Sequence, residues 1–299
     1  MNLKFNIKVP GTSANIGVGY DCLGVALDYY LELEVTESDT IQFIENGKDF
    51  SIPLNENLIF EAANFTQKKL NKTIPNYKVN IIRNDIPIAR GLGSSSSAIV
   101  AGIMIVNRFL NNMLDKHSIA KLAVEMEGHP DNVVPAIFGG MVLAAHDKDN
   151  LSYALLPSVE KLYFYVMIPS FRLSTEKARS VLPKSYKVSD AINNMSKLGL
   201  LVSRLYEKKY DDLRFLLGDK LHQPYRFKLI NNSEKIFELT KLYGAVAEYI
   251  SGAGPTLIAL NYDDEQFMEK MMTELSKLPD DWSIEKKKIN YDGAFLVDL

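Results

Sequence analysis

Apolar positions along the 299-residue chain change period several times. Residues 5–9 alternate apolar with polar, and so do residues 77–83 around Val79 and Ile81; each reads as a strand with one buried face. Residues 27–36, 40–44, 141–145, 162–168 and 294–297, and the apolar run after Pro255, read as further strands. Helical spacing marks residues 57–70, where Leu58, Ile59, Ala62, Phe65 and Leu70 share a stripe. A second helix opens at Asp115 and Ser118 and runs through Met126, and residues 175–182, 190–206, 210–217 and 265–278 add more. Residues 98–110 are almost wholly apolar and long enough for a buried helix. The mixture predicts an α+β chain with an antiparallel-rich sheet. Asp147-Lys148-Asp149-Asn150 is a polar turn, and the change between two closely packed halves, 1–155 and 156–299, falls near residues 147–160.

Composition narrows the class. At 46% hydrophobic the chain can bury a large core. A net charge of −3 offers no basic excess for nucleic acid, and the Lys286-Lys287-Lys288 run is isolated, as on a solvated face. Cys22 is the single cysteine, so no internal disulfide forms and no thiol metal cluster exists. The first residues lack an apolar signal core, and no apolar run is long enough to span a bilayer. The expectation is a cytoplasmic protein with no nucleic-acid or membrane partner; a homodimer is possible.

Five segments carry candidate chemistry. Between the strand at 77–83 and the apolar helix lies Pro87-Ile88-Ala89-Arg90-Gly91-Leu92-Gly93-Ser94-Ser95-Ser96-Ser97. A helix start offers free N–H groups and the positive dipole end, glycines permit close backbone approach, and serines add donors. That suits a polyphosphate, although a serine-capped buried helix explains the same residues. The string is neither a Walker A loop nor a dinucleotide fingerprint. Pro10 to Gly24 holds four glycines and reads as a shaped loop, its Thr12, Ser13, Asn15 and Asp21 serving either turn chemistry or a small polar ligand. Glu125 and Glu127 end a helix, where acids are mildly unfavourable; they are solvated, or Mg²⁺ compensates them. His129 is either a fixed structural histidine or a base. Arg179, after the cap at Ser174 or Thr175, and Arg226 close the set, with the Ser251-Gly252-Ala253-Gly254-Pro255 turn after them.

In this order the strings resemble the three motifs of the GHMP small-molecule kinases, and most closely the branch that phosphorylates homoserine. The resemblance runs from Pro10 to Pro255. It implies two α+β domains with the active site in the cleft between them, and ATP with Mg²⁺ as cofactors. On that likeness residues 87–97 hold the phosphates and Asn57 lies near the adenine. Ser95, more than Ser94, and Glu127 would hold Mg²⁺. Asn15, Asp21, Asn132, Arg179 and Arg226 would bind L-homoserine, with Asp21 on its ammonium, the arginines on its carboxylate and Asn132 at its hydroxyl. Relatives that place an aspartate at that last position have a base; an asparagine cannot take a proton, with Asp131 as the other candidate. A mevalonate-type or sugar kinase of the same superfamily, and a metabolite binder without turnover, are the remaining readings.

Overall fold

The computed structural model describes residues 3–50, 52–148, 150–157, 159 and 161–299. Strands β1 (Lys4–Asn15) and β2 (Gly19–Glu37) form a long antiparallel hairpin whose register slips at Pro10/Gly11 and again at Ala14/Asn15. Most of the segment expected as a loop from Pro10 to Gly24 is therefore strand, around a tight turn at residues 16–18. Two effects hid it. The bulges break the alternation, and residues 9–15 are buried on both faces, so polar and apolar positions no longer take turns.

The chain continues through β3 (Gln42–Glu45), β4 (Lys48–Asp49), α1 (Leu58–Leu70), β5 (Tyr77–Asn84), α2 (Ser94–Phe109), α3 (Lys116–Glu127), α4 (Pro130–Phe138), β6 (Met141–Asp147) and β7 (Asn150–Leu155). Then follow β8 (Tyr163–Pro169), α5 (Thr175–Ser180), α6 (Val188–Glu207), α7 (Leu213–Leu216), α8 (Gln223–Arg226), α9 (Ser233–Leu242), β9 (Ala247–Ile250), β10 (Leu257–Asn261), α10 (Glu265–Leu275), β11 (Trp282–Lys287) and β12 (Phe295–Asp298). One sheet runs β12-β1-β2-β5-β3-β4, with the β6–β7 hairpin paired to β2; only β3–β5 is parallel. The other runs β11-β8-β10-β9 and is antiparallel throughout. Of the expected junction at residues 147–160, Asp149, Ser158 and Glu160 lie outside the described residues, as do Met1 and Asn2.

Strand β8 shows why one apolar run can serve two cores. Phe164, Val166 and Ile168 point into the large core shared with the first sheet, while Tyr165 and Met167 join a second core under α9 and α10. Both faces are covered, as the unbroken hydrophobicity of 162–168 implies. Helix α4 had no clear sequence signal because it carries two prolines. Pro130 is tolerated at its first turn. Pro135 lacks the N–H that would meet the Asp131 carbonyl, and that oxygen packs against Gly24, where an added Cβ would lie 1.7 Å away. The Lys286–Lys288 run belongs to the edge strand β11 and its exit, with Lys286 paired to Asp263 and the Lys287 ammonium 4.0 Å from the centre of the Tyr29 ring. Among the described residues no helix is long and apolar enough to cross a membrane.

Candidate active site

The 87–97 segment is a loop threaded between β1 and the turn at residues 251–255. Its backbone is left-handed at Ala89, Gly91 and Gly93, with φ of 55°, 75° and 73°. A Cβ on Gly93 would sit 2.0 Å from Thr12 Oγ1, and one on Gly91 would sit 2.3 Å from the Ser251 carbonyl oxygen. Only glycine fits there. Thr12 N donates to Leu92 O (3.0 Å) and Ser251 Oγ to Gly91 O (2.6 Å), while Gly252 N reaches Ala14 O (3.0 Å). The Ser251–Pro255 turn thus lies under the loop and holds it against the hairpin.

Not every residue of the string faces the pocket. The Arg90 guanidinium turns outward, donating to the Pro169, Ser170 and Ile88 carbonyls, and ties the loop to the end of β8. Leu92 is buried beneath the loop. Ser97 is fully buried, its hydroxyl bonded to Pro10 O (2.9 Å) and Gly93 O (3.0 Å). The pocket side is left to the head of α2 and the hydroxyls of Ser94, Ser95 and Ser96. Glu127, the last residue of α3, faces that head: Ser96 Oγ donates to it at 2.8 Å and Ser95 Oγ at 3.5 Å. Ser96 is therefore the nearer partner and Ser95 the outer one.

Two cavities meet at this point. One, of about 370 Å³, is mainly apolar and runs between the head of α1, Ile81, Ile86 and Leu173. Asn57 stands at its edge as the N-cap of α1, its Oδ1 accepting from Ile59 N and Phe60 N. Its Nδ2 is buried and has no hydrogen-bond partner among the described residues. The other cavity, of about 110 Å³, is polar, and Asp21, Glu127, Asn132, Arg179 and Arg226 line it. Ser94 and Ser95 border both.

In the polar cavity Arg179 grips Asp21 with two parallel bonds, Nη2 to Oδ1 at 2.7 Å and Nη1 to Oδ2 at 3.0 Å. Arg179 Nη1 also donates to the Tyr20 hydroxyl (2.9 Å). Arg226 is 1% exposed; its Nη1 donates to Gly252 O (2.8 Å) and contacts His222 Nδ1 (3.2 Å). Among the described residues no carboxylate pairs with it directly, and burial, with Arg179 nearby, lowers its pKa against the raising influence of the Tyr20 phenol, Asp21 and Asp131. His222 is fully buried, and its Nε2 lies 2.7 Å from Gly17 O. That contact requires the Nε2–H tautomer and leaves Nδ1 to accept from Arg226. Burial holds the imidazole pKa below its usual value despite Asp219.

Asn132 Oδ1 accepts from the Thr12 hydroxyl (2.8 Å). Asn15 donates through Nδ2 to Gly252 O (2.8 Å) and accepts from Asp21 N (2.9 Å), so its amide is spent on shaping the hairpin end and fixing Asp21. His129 Nδ1 lies 2.6 Å from Asp131 Oδ1, which is 2% exposed. Burial lowers the His129 pKa, but the bond to Asp131 and the charges of Asp131, Glu127 and Asp21 outweigh it, and the net shift is upward. Asp21, His129 and Asp131 could together hold a cation, yet each already has a protein partner in Arg179, Asp131 or His129. Burial pushes the Cys22 thiol up to about 12, which removes it as a nucleophile.

Sequence reasoning gave no site role to Tyr20 or His222. The Tyr20 ring stacks on His222 (centroids 5.2 Å apart), and the guanidinium carbons of Arg226 and Arg179 lie 5.2 and 5.7 Å from its centre. A signal existed: an aromatic beside Asp21 in a glycine-rich stretch.

The GHMP kinases N terminal domain model matches residues 57–140, and the GHMP kinases C terminal model matches residues 201–275. A homoserine kinase of Clostridium novyi (strain NT) is 41% identical over 293 residues, covering 97% of this chain and 98% of that protein. One of Clostridium kluyveri is 40% identical over 298 residues, with 99% of each chain covered. A crystal structure of homoserine kinase from Cytophaga hutchinsonii superposes with a TM-score of 0.87 at 26% identity, over 98% of this chain and 97% of that one. A mevalonate kinase structure, at 20% identity and a TM-score of 0.71, shares the fold. With identity of this degree along essentially its whole length, and both domain models in order, the chain belongs to the homoserine kinase family of the GHMP kinases.

Proposed function

We propose that the protein transfers the γ-phosphoryl group of ATP to the side-chain hydroxyl of L-homoserine, giving O-phospho-L-homoserine and ADP, a step of threonine biosynthesis. One observation carries the reading. The head of α2, facing Glu127, stands between an apolar cavity with an unpaired amide and a polar pocket with an acid and two arginines.

The residues fit both partners. The 370 Å³ cavity is within the size of small-molecule sites, and the Asn57 Nδ2 offers a buried donor to a nucleobase. The amides from Gly93 onward and the serine hydroxyls offer donors to phosphate oxygens at the positive end of a 16-residue helix. Glu127 with Ser95 and Ser96 supplies the oxygen donors a hard divalent ion prefers, and Mg²⁺ held there would neutralise phosphate charge. Phosphoryl transfer leaves the protein mainly positioning and charge stabilisation. Asp21 and Arg179 satisfy each other across the pocket; a zwitterion exchanges that pair for two, its ammonium on Asp21 and its carboxylate on Arg179 and Arg226. The amino acid is then fixed at both ends, and its hydroxyl falls near Asn132. With Oδ1 of Asn132 occupied by Thr12, its Nδ2 is free to donate to that hydroxyl and holds it in line. Neither atom takes a proton, so the proton leaves to phosphate or water.

ADP release measured with homoserine, mevalonate and galactose tests the assignment. Turnover is expected with homoserine alone. Preference for mevalonate or galactose would move the protein to another branch, and no turnover with any of them would make it a binder.

A further inference from the structure

Arg226 is a buried cation held by neutral atoms. Its Nε donates to Ala178 O (3.4 Å) and its Nη1 to Gly252 O (2.8 Å) and His222 Nδ1 (3.2 Å), while its Nη2 has no partner among the described residues. A buried guanidinium ordinarily sits on a carboxylate, since a charge out of water needs compensation. Here two carbonyls and an imidazole fix the group at the wall of the polar cavity and leave its charge unspent. Of those three acceptors, His222 alone is a side chain.

The imidazole is itself fixed from several directions. Its Nε2 reaches Gly17 O (2.7 Å), and the ring stacks on Tyr20. The backbone N–H of His222, with those of Leu221 and Gln223, donates to the buried Asp219 carboxylate, and Asn194 Nδ2 of α6 donates to the same group at 2.6 Å. Gly17 and Tyr20 belong to the end of the β1–β2 hairpin that also carries Asp21. The ring therefore registers an arginine of the second half of the chain against the acid of the first.

We infer, taking Arg226 as a ligand of the homoserine carboxylate, that His222 is a positioning residue for that contact: as the Nε2–H tautomer it aims Arg226 through Nδ1 without neutralising it. An aspartate or glutamate in its place would pair with Arg226 and compete with the carboxylate of the substrate. An imidazolium would offer no acceptor atom and would set two cations side by side. Burial favours the neutral ring although Asp219 lies beside it. With no acceptor at Nδ1, one buried proton of Nη1 is left unpaired, and the guanidinium turns away from its aim to recover a partner.

Steady-state kinetics of two substitutions separate aim from packing. Glutamine places its amide nitrogen near the Nε2 position, and asparagine its carbonyl oxygen near the Nδ1 position. His222→Gln therefore keeps a donor for Gly17 O and loses the acceptor for Arg226, whereas His222→Asn does the reverse. The KM for homoserine should rise roughly tenfold in His222→Gln, with kcat within about twofold of wild type, and should return most of the way in His222→Asn. Homoserinol, in which a hydroxymethyl group replaces the carboxylate, should have the same KM with wild type and His222→Gln. Lost packing would instead raise the KM of both compounds in both variants. Nitrogen NMR of histidine-labelled wild type, which needs no variant to fold, should show His222 as the neutral Nε2–H tautomer at neutral pH. Equal KM increases for homoserine in the two variants, a matching increase for homoserinol, or an Nδ1–H or doubly protonated ring overturns the role of His222 and leaves the kinase assignment standing. A wild type that does not turn over homoserine removes both.

Discussion

Glu127 is the residue on which the proposed chemistry turns. Its carboxylate takes two serine hydroxyls at the head of α2 from a side chain that is half-buried. Glu127→Gln keeps the shape and those contacts but removes the charge that a divalent ion needs. Homoserine-dependent turnover should fall roughly 10²–10³-fold, while thermal denaturation stays within about 1 °C of wild type. Tyr20→Phe keeps the ring against His222 and both guanidiniums but loses the bond from Arg179, so the KM for homoserine should rise with the KM for ATP unchanged. Two histidines, buried His222 and half-buried His129, should oppose each other in acid. His222 has a folded pKa below its unfolded value of about 6.5, so below that pH the unfolded chain takes a proton the native state refuses, and stability falls. His129 has a raised folded pKa; its contribution is fully present below about 6.5 and lost as pH rises through the folded value. Urea midpoints from about pH 5 to pH 8 should show His222→Gln flattening the acid-side decline and His129→Gln steepening the net loss on acidification. Glu127, Asp21 and the two arginines stood out in the sequence because each is a charged residue inside one of the five motif segments, although turn chemistry for Asp21 and a helix end for each arginine also account for them. Asn15, Arg90 and Ser97 read the same way by type, yet their polar atoms are spent on backbone partners, which no single sequence displays.

At the scale of elements, the phosphate loop depends on being clamped from both sides. Gly93→Ala must hold a left-handed backbone with a Cβ against the Thr12 hydroxyl. The strain alone is about 1–2 kcal/mol, and relief requires Thr12 to move, releasing Asn132. A raised KM for ATP together with a lowered melting temperature is expected, and an unchanged KM for ATP would remove the loop from nucleotide binding. Helices with open amphipathic faces and clear caps, α1 behind Asn57 and α3 behind Asp115, were readable in advance. Others were not. The β1–β2 hairpin is buried on both faces and broken by bulges, α4 contains two prolines, and β7, α9 and β11 are short segments whose apolar positions make sense only against a neighbouring element. Tertiary contact, not local pattern, decides such elements.

At the scale of the whole molecule, an apolar cavity with one unpaired amide and a pocket lined by acids and arginines open beside one helix head. Ligand binding there draws on both halves of the chain, since Asp21, Glu127 and Asn132 come from the first and Arg179 and Arg226 from the second. A nucleotide that binds only the native state should raise stability by about 2.7 kcal/mol at 100 times its Kd. Heating with ATP and Mg²⁺ should therefore shift the melting curve upward in the wild type and much less in Glu127→Gln. Strand β12 closes the first sheet against β1, with Phe5 opposite Asp298 and Leu299 N donating to Lys4 O. Two segments nearly three hundred positions apart in order thus lie shoulder to shoulder. A few added residues could splice them into one continuous ribbon, with new ends opened at the exposed Asn46–Gly47 bend. Such a circular permutant should keep its catalytic rate while assembling in a different sequence of steps, because the pairing that is now the most remote would become the most local.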